Sequence, residues 1–455
     1  MLETQLFQSL LAFIVKLGAG LTSYALFAVT ARMVGAKEFG AFSILFSAAM
    51  LLGTVGSFGQ QVFLVKEIPK SRAVGDKAAE FGAYSFAFVV VSVGASTSAL
   101  LLVMISPLLA DEANRHMLIS GAGLSFLFAS SQATIGALRV QGRTLFGIAT
   151  RDLLWRLLSL LGIVLLGWWL EGQGTLASSA AAMLVLTGAL FPIVLLHWWL
   201  IIRHLRSELS HRRRIWHLRD WLGASAGFAL IAVLSAADTY VYTIGLGILA
   251  PADEAGVFFA AMKTVELLTL FFMAVTLIIG PRLSLLMAQG DKAELQRQCN
   301  TAILLQGVPA LIAGAVLFIA APLFLSMFNA TYTAWSNVLR LLIVGSLVNA
   351  LSGATGLLLQ LAGLHWRQVL YQGGSLILSI ALLPLLVPAI GIMGAAIACV
   401  ISRVLWNTLA VITIRGRFGV DPSLFGFLSP LGGGLAAAIA ELRYQLRPPF
   451  LARNK

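Results

Sequence analysis

The chain is predicted to be an all-α polytopic membrane protein of about twelve transmembrane helices. Three observations predict it: the composition, the spacing of apolar runs, and an asymmetry in where basic residues fall. Of 455 residues 59% are hydrophobic and 11% charged, with mean hydropathy +0.91, against about 25% charged in an ordinary soluble domain. Such a chain cannot solvate its own surface. Its net charge of +12 is no nucleic-acid footprint, because membrane proteins use Lys and Arg to mark their inner connectors. Cys299 and Cys399 sit in apolar stretches far apart, so neither a disulfide framework nor a cysteine metal motif is expected.

A helix needs about 20 apolar residues to cross the hydrocarbon core. Runs of that kind cover residues 8–31, 39–65, 79–106, 116–138, 150–170 and 175–202, then 220–248, 254–280, 297–325, 335–361, 368–387 and 390–413. The first follows acidic Glu3 and is too long for a signal-peptide core, so it is read as a retained helix. Alternate connectors then differ in charge. Lys66, Lys70, Arg72, Lys77, Arg139, Arg143 and Arg151 fall on one side, joined by Arg203, Arg206, Arg212, Arg213, Arg214 and Arg219. Arg282, Lys292, Arg297, Arg367, Arg415 and Arg417 belong there too, whereas the opposite side holds Arg32, Lys37 and Arg115. This places the N-terminus and the basic connectors in the cytoplasm. Residues 424–442 are apolar but contain Pro430, Gly432, Gly433 and Gly434, and a full crossing would strand Arg443, Arg447, Arg453 and Lys455 outside. An interfacial or re-entrant tail is expected.

The chain also repeats itself. Glu38, Gly40 and Phe42 return as Glu254, Gly256 and Phe258 at an offset of 216, and Pro107 returns as Pro322 at 215. The first six runs therefore map onto the last six as two parallel six-helix lobes. Residues 1–215 form the first lobe with its basic linker, 216–418 the second, and 419–455 an apolar and basic tail.

Residues 31–43, ARMVGAKEFGAFS, resemble the segment joining the first two helices of polysaccharide and O-antigen flippases of the multidrug/oligosaccharidyl-lipid/polysaccharide superfamily. AGVFFAAMK at 255–263, IIGPRLSLLMAQGDKAEL at 278–295 and LRLLIVGSLVNALSGATGLLLQLAG at 339–363 resemble its eighth to tenth helices. The resemblance implies a MATE-like flippase fold whose lobes rock between inward- and outward-open states. The cargo it implies is a polyprenyl-diphosphate-linked oligosaccharide, carried to the outer leaflet of the bacterial cytoplasmic membrane for O-antigen, capsule or exopolysaccharide. A cation-coupled multidrug exporter of the same superfamily is the alternative, and a membrane glycosyltransferase or polymerase is less favoured because the outer connectors are too short for a catalytic domain. A polymerase and glycosyltransferases, together with membrane lipids, are the partners implied. No cofactor, metal or nucleic acid is expected.

Charge inside the membrane marks the candidate site, since an ionisable group at the centre of a lipid-facing helix costs roughly 2.5–3.5 kcal/mol. Lys16, Lys263 and Arg403 lie well inside their runs, and Arg32 and Arg340 near outer ends. These five are the substrate-binding candidates, a cationic set suited to a diphosphate. Asp238 and Glu266 are candidates for ion coupling or structural pairing. Other readings stay open: Lys263 and Glu266 are three residues apart and can pair, Asp238 can neutralise Lys16 or Arg403, and Arg32, Arg340 and Arg156 can snorkel to the interface. Polar stripes run along the first helix (Lys16, Gly20, Ser23, Thr30, interrupted by Phe27), the second (Ser43, Ser47, Thr54, Ser57, Gln61) and the seventh (Ser235, Asp238, Tyr242, Gly245). Small residues of this kind also serve close helix packing. Gly223, Ser225 and Gly227 match a nucleophile elbow but open a helix instead of ending a strand. The histidines lack a metal spacing, and no catalytic motif points to an enzyme.

Overall fold

A computed structural model describes residues 2–105, 115–172, 177–209, 215–272 and 279–428, with residue 439. These are all-helical, with no strand among them. Among the described residues twelve helices are long and apolar enough to cross a membrane: Leu11–Val34, Ala36–Ala73, Lys77–Ile105, Leu118–Val140, Thr144–Glu171, Ser179–Ser207, Leu218–Leu249, Ala252–Phe272, Lys292–Ile319, Ala330–Leu361, His365–Ile390 and Ile392–Phe418. They are called the first to twelfth spans here. Leu100, Leu165, Trp168, Ile312, Ile377 and Leu385 are exposed on them, as hydrocarbon-facing residues of a multi-pass membrane protein are. Several helices overrun the apolar runs of the sequence. Hydropathy marks only the part that needs hydrocarbon, while the backbone hydrogen bonds continue through polar residues into the interface. The ninth span starts at Lys292 behind the Asp291 cap, whose carboxylate accepts from Glu294 N at 3.0 Å. The fifth starts at Thr144, so Arg151 lies inside the span and not in the connector before it. The tail ends its described part in a short 3-10 turn, Leu424–Leu428; most of the segment 424–442, together with Pro107 and the arginines 212–214, lies outside the described residues.

Two spans are discontinuous. Ala36–Ser57 and Gln60–Ala73 are joined by Phe58 and Gly59, both in left-handed backbone at φ 45° and 68°. A Cβ at Gly59 would stand 2.6 Å from Ala229 N, so glycine lets the seventh helix approach the break. Gln60 Nε2 donates to Phe58 O at 3.2 Å and to Ser225 Oγ at 3.0 Å. Ser225, the centre of the elbow-like motif, is thus a buried partner of that break. The tenth span breaks between Ser336–Leu351 and Thr355–Leu361 at Gly353, φ 77°, where a Cβ would lie 1.9 Å from Pro422 O. Gln306 Nε2 satisfies the Ala350 carbonyl beside it at 2.7 Å.

The chain divides into two compact units. One comprises Met1–Lys263, Leu325–Ala334 and Val387–Ile392, and the other Thr264–Phe324, Trp335–Leu386 and Met393–Lys455. In the first unit the repeated motif has a physical role. A Cβ on Gly40 would meet Ala252 O at 2.0 Å, and one on Gly256 would meet Gly40 Cα at 3.1 Å, so the two copies cross at their glycines. Glu38 accepts from Ser179 N at 3.2 Å and Ser179 Oγ at 2.6 Å, at the start of the sixth span. Glu254 accepts from Ile392 N at 3.0 Å, at the start of the twelfth. Each motif carboxylate therefore caps the helix four spans on, where free amides and the helix dipole favour an anion. Phe42 joins Phe27, Phe39, Phe46 and Phe259 in a pile of rings with centroids 5.0–6.3 Å apart. In the second unit, Cys299, Leu358, Leu359, Ala410 and Ile414 belong to one buried cluster.

Candidate functional site

In the first unit the fifth span opens with a π-helical stretch, Ala149–Leu154, of the kind that often marks functional positions. The wider turn puts consecutive polar side chains at buried positions that an unbroken α-helix would distribute differently. Asp152, with its side chain 5% exposed, forms a salt bridge with Lys16 of the first span. Arg151 Nη1 donates to Asp152 Oδ1 at 2.9 Å and Nη2 to Gln132 Oε1 at 3.0 Å, with its guanidinium 4.7 Å from the Phe128 ring. Arg156 donates to the Asp152 backbone carbonyl. Two cations thus contact the Asp152 carboxylate, and a third is held at the backbone of the same residue. The buried Nε of Arg151 has no hydrogen-bond partner among the described residues. One turn along, Thr150 Oγ1 lies 2.7 Å from His197 Nε2 and Thr134 Oγ1 lies 3.0 Å from His197 Nδ1. This ties the fourth, fifth and sixth spans together through a ring with no exposed surface.

Sequence spacing singled out Lys16 but missed Asp152, Gln132 and His197. Arg151 and Asp152 fall at the head of the 150–170 run, where Arg151 reads with the basic connector, although apolar Leu145, Phe146 and Ile148 precede them and were the available signal. Lys263 is 6% exposed, with its ammonium 5.1 Å from the Phe259 ring centroid, 5.3 Å from Tyr240 and 5.5 Å from Phe27. It is therefore held by three aromatic faces. Phe27, which interrupts the first-span stripe, is one of them. Asp238 is half-buried on the seventh span. Arg32 reaches the Ser326 carbonyl at 3.3 Å from an exposed position.

In the second unit Arg403 is 9% exposed and donates from Nη1 to Ser346 Oγ at 2.9 Å. One turn later Asn407 Nδ2 donates to Asn349 Oδ1 at 3.0 Å and to the Arg403 carbonyl at 2.8 Å. The face that Arg403 shares with Asn407 is thus the seam between the twelfth and tenth spans. Arg340 lies near the outer end of the tenth, donating to Asn337 Oδ1 at 2.9 Å and to the Phe318 carbonyl at 3.2 Å, with the Phe318 ring 5.7 Å away. Glu266, half-buried, opens a 3-10 turn, Glu266–Leu268. Beside Asn349, at the break in the tenth span, is a cavity of ≈240 Å³ whose lining includes Phe272, Thr355, Gln360, Gln368 and Trp406. The second-span stripe spends much of its polarity on its own helix. Ser43, Thr54 and Ser57 return their hydroxyls to carbonyls of their own helix, at 2.7, 2.9 and 2.8 Å. No group of three or more metal-ligating residues is found among the described residues.

No family profile matches the chain, and no curated protein matches it. Solved structures do. An inward-facing multidrug resistance MATE family transporter of the MOP superfamily superposes with TM-score 0.70 at 15% identity, over 90% of this chain and 98% of that one. An outward-facing structure of a transporter described in the same terms gives 0.60 at 14%, over 90% and 95%. A MOP superfamily transporter from Pyrococcus furiosus, described as having a binding pocket of reverse polarity that suggests a different function, gives 0.59 at 15%, over 90% and 95%. At such identities the likeness is one of architecture: the chain has the fold of MATE transporters of the MOP superfamily.

Proposed function

We propose that the chain is a membrane transporter that carries a polyprenyl-diphosphate-linked oligosaccharide from the inner to the outer leaflet of a bacterial cytoplasmic membrane, with its N-terminus and basic connectors inside. The observation that supports this best is the excess of positive charge around Asp152. Lys16 and Arg151 pair with the Asp152 carboxylate, Arg156 donates to the backbone carbonyl of the same residue, and one Arg151 guanidinium nitrogen has no partner among the described residues. A diphosphate is a concentrated anion that cannot enter hydrocarbon alone. A unit-charge contact at about 4 Å is worth roughly 4 kcal/mol at an effective dielectric of 20, so two net cations offset much of the dehydration and still permit release. The pocket of reverse polarity described for the Pyrococcus furiosus relative agrees with the idea that charge sign separates functions on this fold. Lys263 and Arg403 are the further cations this reading assigns to the path.

Vesicles reconstituted with the full chain and a fluorescent polyprenyl-diphosphate sugar test it. Wild-type protein should expose the probe to an impermeant quencher, Lys16→Ala should abolish exposure at normal protein content, and Lys16→Arg should keep part of it. If Lys16 serves only to neutralise Asp152, the double variant Lys16→Ala, Asp152→Asn will flip the probe like wild type, and recognition by Lys16 falls. Orientation is checked in intact cells after replacing the two buried cysteines, Cys299 and Cys399. Cysteines at exposed Lys37 and Ala334 should react with an impermeant reagent, and those at Val74 and Gly416 should not.

A second reading, export of small molecules driven by a cation gradient, is favoured by two observations: Asp152 is a buried carboxylate, and aromatic rings cluster around the first span. Under it, Asp152→Asn abolishes gradient-driven efflux of a cationic dye from vesicles, and the lipid-linked probe does not move in wild type.

A further inference from the structure

We infer that the cavity at the break in the tenth span is a subsite for one neutral sugar ring; the inference rests on reading the chain as a carrier of a glycan-bearing lipid. The cavity is walled by parts of several helices. Asn349 and Thr355 come from the two sides of the break, Gln360 from the end of the tenth span, Gln368 from the start of the eleventh, Trp406 from the twelfth and Phe272 from the eighth. Discontinuous membrane helices commonly build substrate sites, because an interrupted helix exchanges lipid-compatible surface for a polar wall.

Among the described residues the lining contains no ionisable side chain, which sets it apart from the cluster around Asp152. Two hydrogen bonds orient its amides. Asn349 Oδ1 accepts from Asn407 Nδ2 at 3.0 Å, and Gln368 Oε1 accepts from Gln360 Nε2 at 3.1 Å. Asn349 Nδ2 and Gln368 Nε2 remain as donors, Gln360 Oε1 as an acceptor, and the Thr355 hydroxyl as either. The Gln368 amide borders Gly356, where a Cβ would stand in ordinary contact, 3.4 Å from its Nε2. A mixed set of uncharged donors and acceptors beside an indole is the complement of a polyhydroxylated ring, whose hydroxyls both give and accept and whose C–H face is apolar. A phosphate would meet an acceptor with no cation, and an acyl chain would leave the amides unsatisfied. The volume, ≈240 Å³, falls below the roughly 300 Å³ at which ordinary ligand pockets begin, so one ring fits and a chain does not.

The test uses the full chain in lipid nanodiscs, free of glycoside detergent, and three probes: a soluble neutral disaccharide, a polyprenyl-diphosphate N-acetylhexosamine, and polyprenyl diphosphate without sugar. Gln368→Leu and Asn349→Leu should each weaken the sugar-bearing lipid about tenfold, the loss expected for one or two polar contacts, and leave the sugar-free lipid within twofold. The soluble disaccharide should bind wild type at millimolar concentration and lose saturation-transfer contact with Gln368→Leu. Gln360→Leu, at an exposed position, and Trp406→Phe give a second pair that preserves the fold, and each should show the same selective loss in smaller measure. If the disaccharide contact depends on Gln368 while neither lipid probe binds, the subsite stands and the proposed function falls. If both lipids bind wild type but the variants weaken them equally, or the disaccharide contact is absent or indifferent to Gln368 and Trp406, the subsite is overturned and the proposed function is untouched.

Discussion

Two polar sites, one in each compact unit, solve the same problem, polar groups in an apolar chain, in opposite ways. In the first, ionised groups gather: Lys16, Arg151 and Arg156 around Asp152, with Gln132 taking one arm of Arg151. In the second, the cavity at the tenth-span break is walled by neutral amides, and Arg403 is turned away into a hydrogen bond with Ser346. Ions in a low-dielectric interior are stable only as a closed set, so each member depends on the others. Neutral amides tolerate an unfilled valence at far lower cost and can wait for a ligand. The ionic cluster therefore doubles as a structural keystone, whereas the amide wall can vary with little effect on the fold.

Removing Asp152 tests the keystone most severely. Asp152→Ala leaves Lys16 and Arg151 without their shared counter-ion, and the expected destabilisation is about 3 kcal/mol, the lower end for a buried pair because Lys16 is partly exposed. Asn349→Ala should cost about 1 kcal/mol. Thermal unfolding in detergent compares them, and equal losses would erase the distinction between the units. Next in size is Gly353→Ala, which forces a left-handed alanine against the Pro422 carbonyl and should cost about 2 kcal/mol. Gly356→Ala meets only ordinary contact and should leave the unfolding midpoint almost unmoved. If both behave alike, the break in the tenth span is not fixed by Gly353. The smallest effect belongs to Ser43→Ala, about 0.5 kcal/mol or less, since that hydroxyl bonds the Phe39 carbonyl of its own helix. A loss of transport there would make the second-span stripe a cargo contact and not a packing surface.

The sequence by itself determined the class and the number of spans, because crossing hydrocarbon imposes a length and a polarity on each helix that no tertiary contact can alter. It also exposed the repeated motif, whose glutamates and glycines are needed at fixed positions: Gly40 because a carbonyl passes 2.0 Å from where a Cβ would be, and Glu38 and Glu254 because helix starts need capping. Lys16, Lys263 and Arg403 stood out for the same reason, as charges where charge is costly. Partners were another matter. That Lys16 meets Asp152 rather than water, that Lys263 rests on Phe27, Tyr240 and Phe259, and that Arg403 faces Ser346 are facts of residues far apart in the chain. Asp152 stayed hidden because, beside Arg151 at the head of the fifth run, it reads as a charge near water. Only the tertiary structure decided those pairings and the cavity at Gly353, because the energy of a buried polar group is set by which neighbours the folded helices bring within about 3 Å.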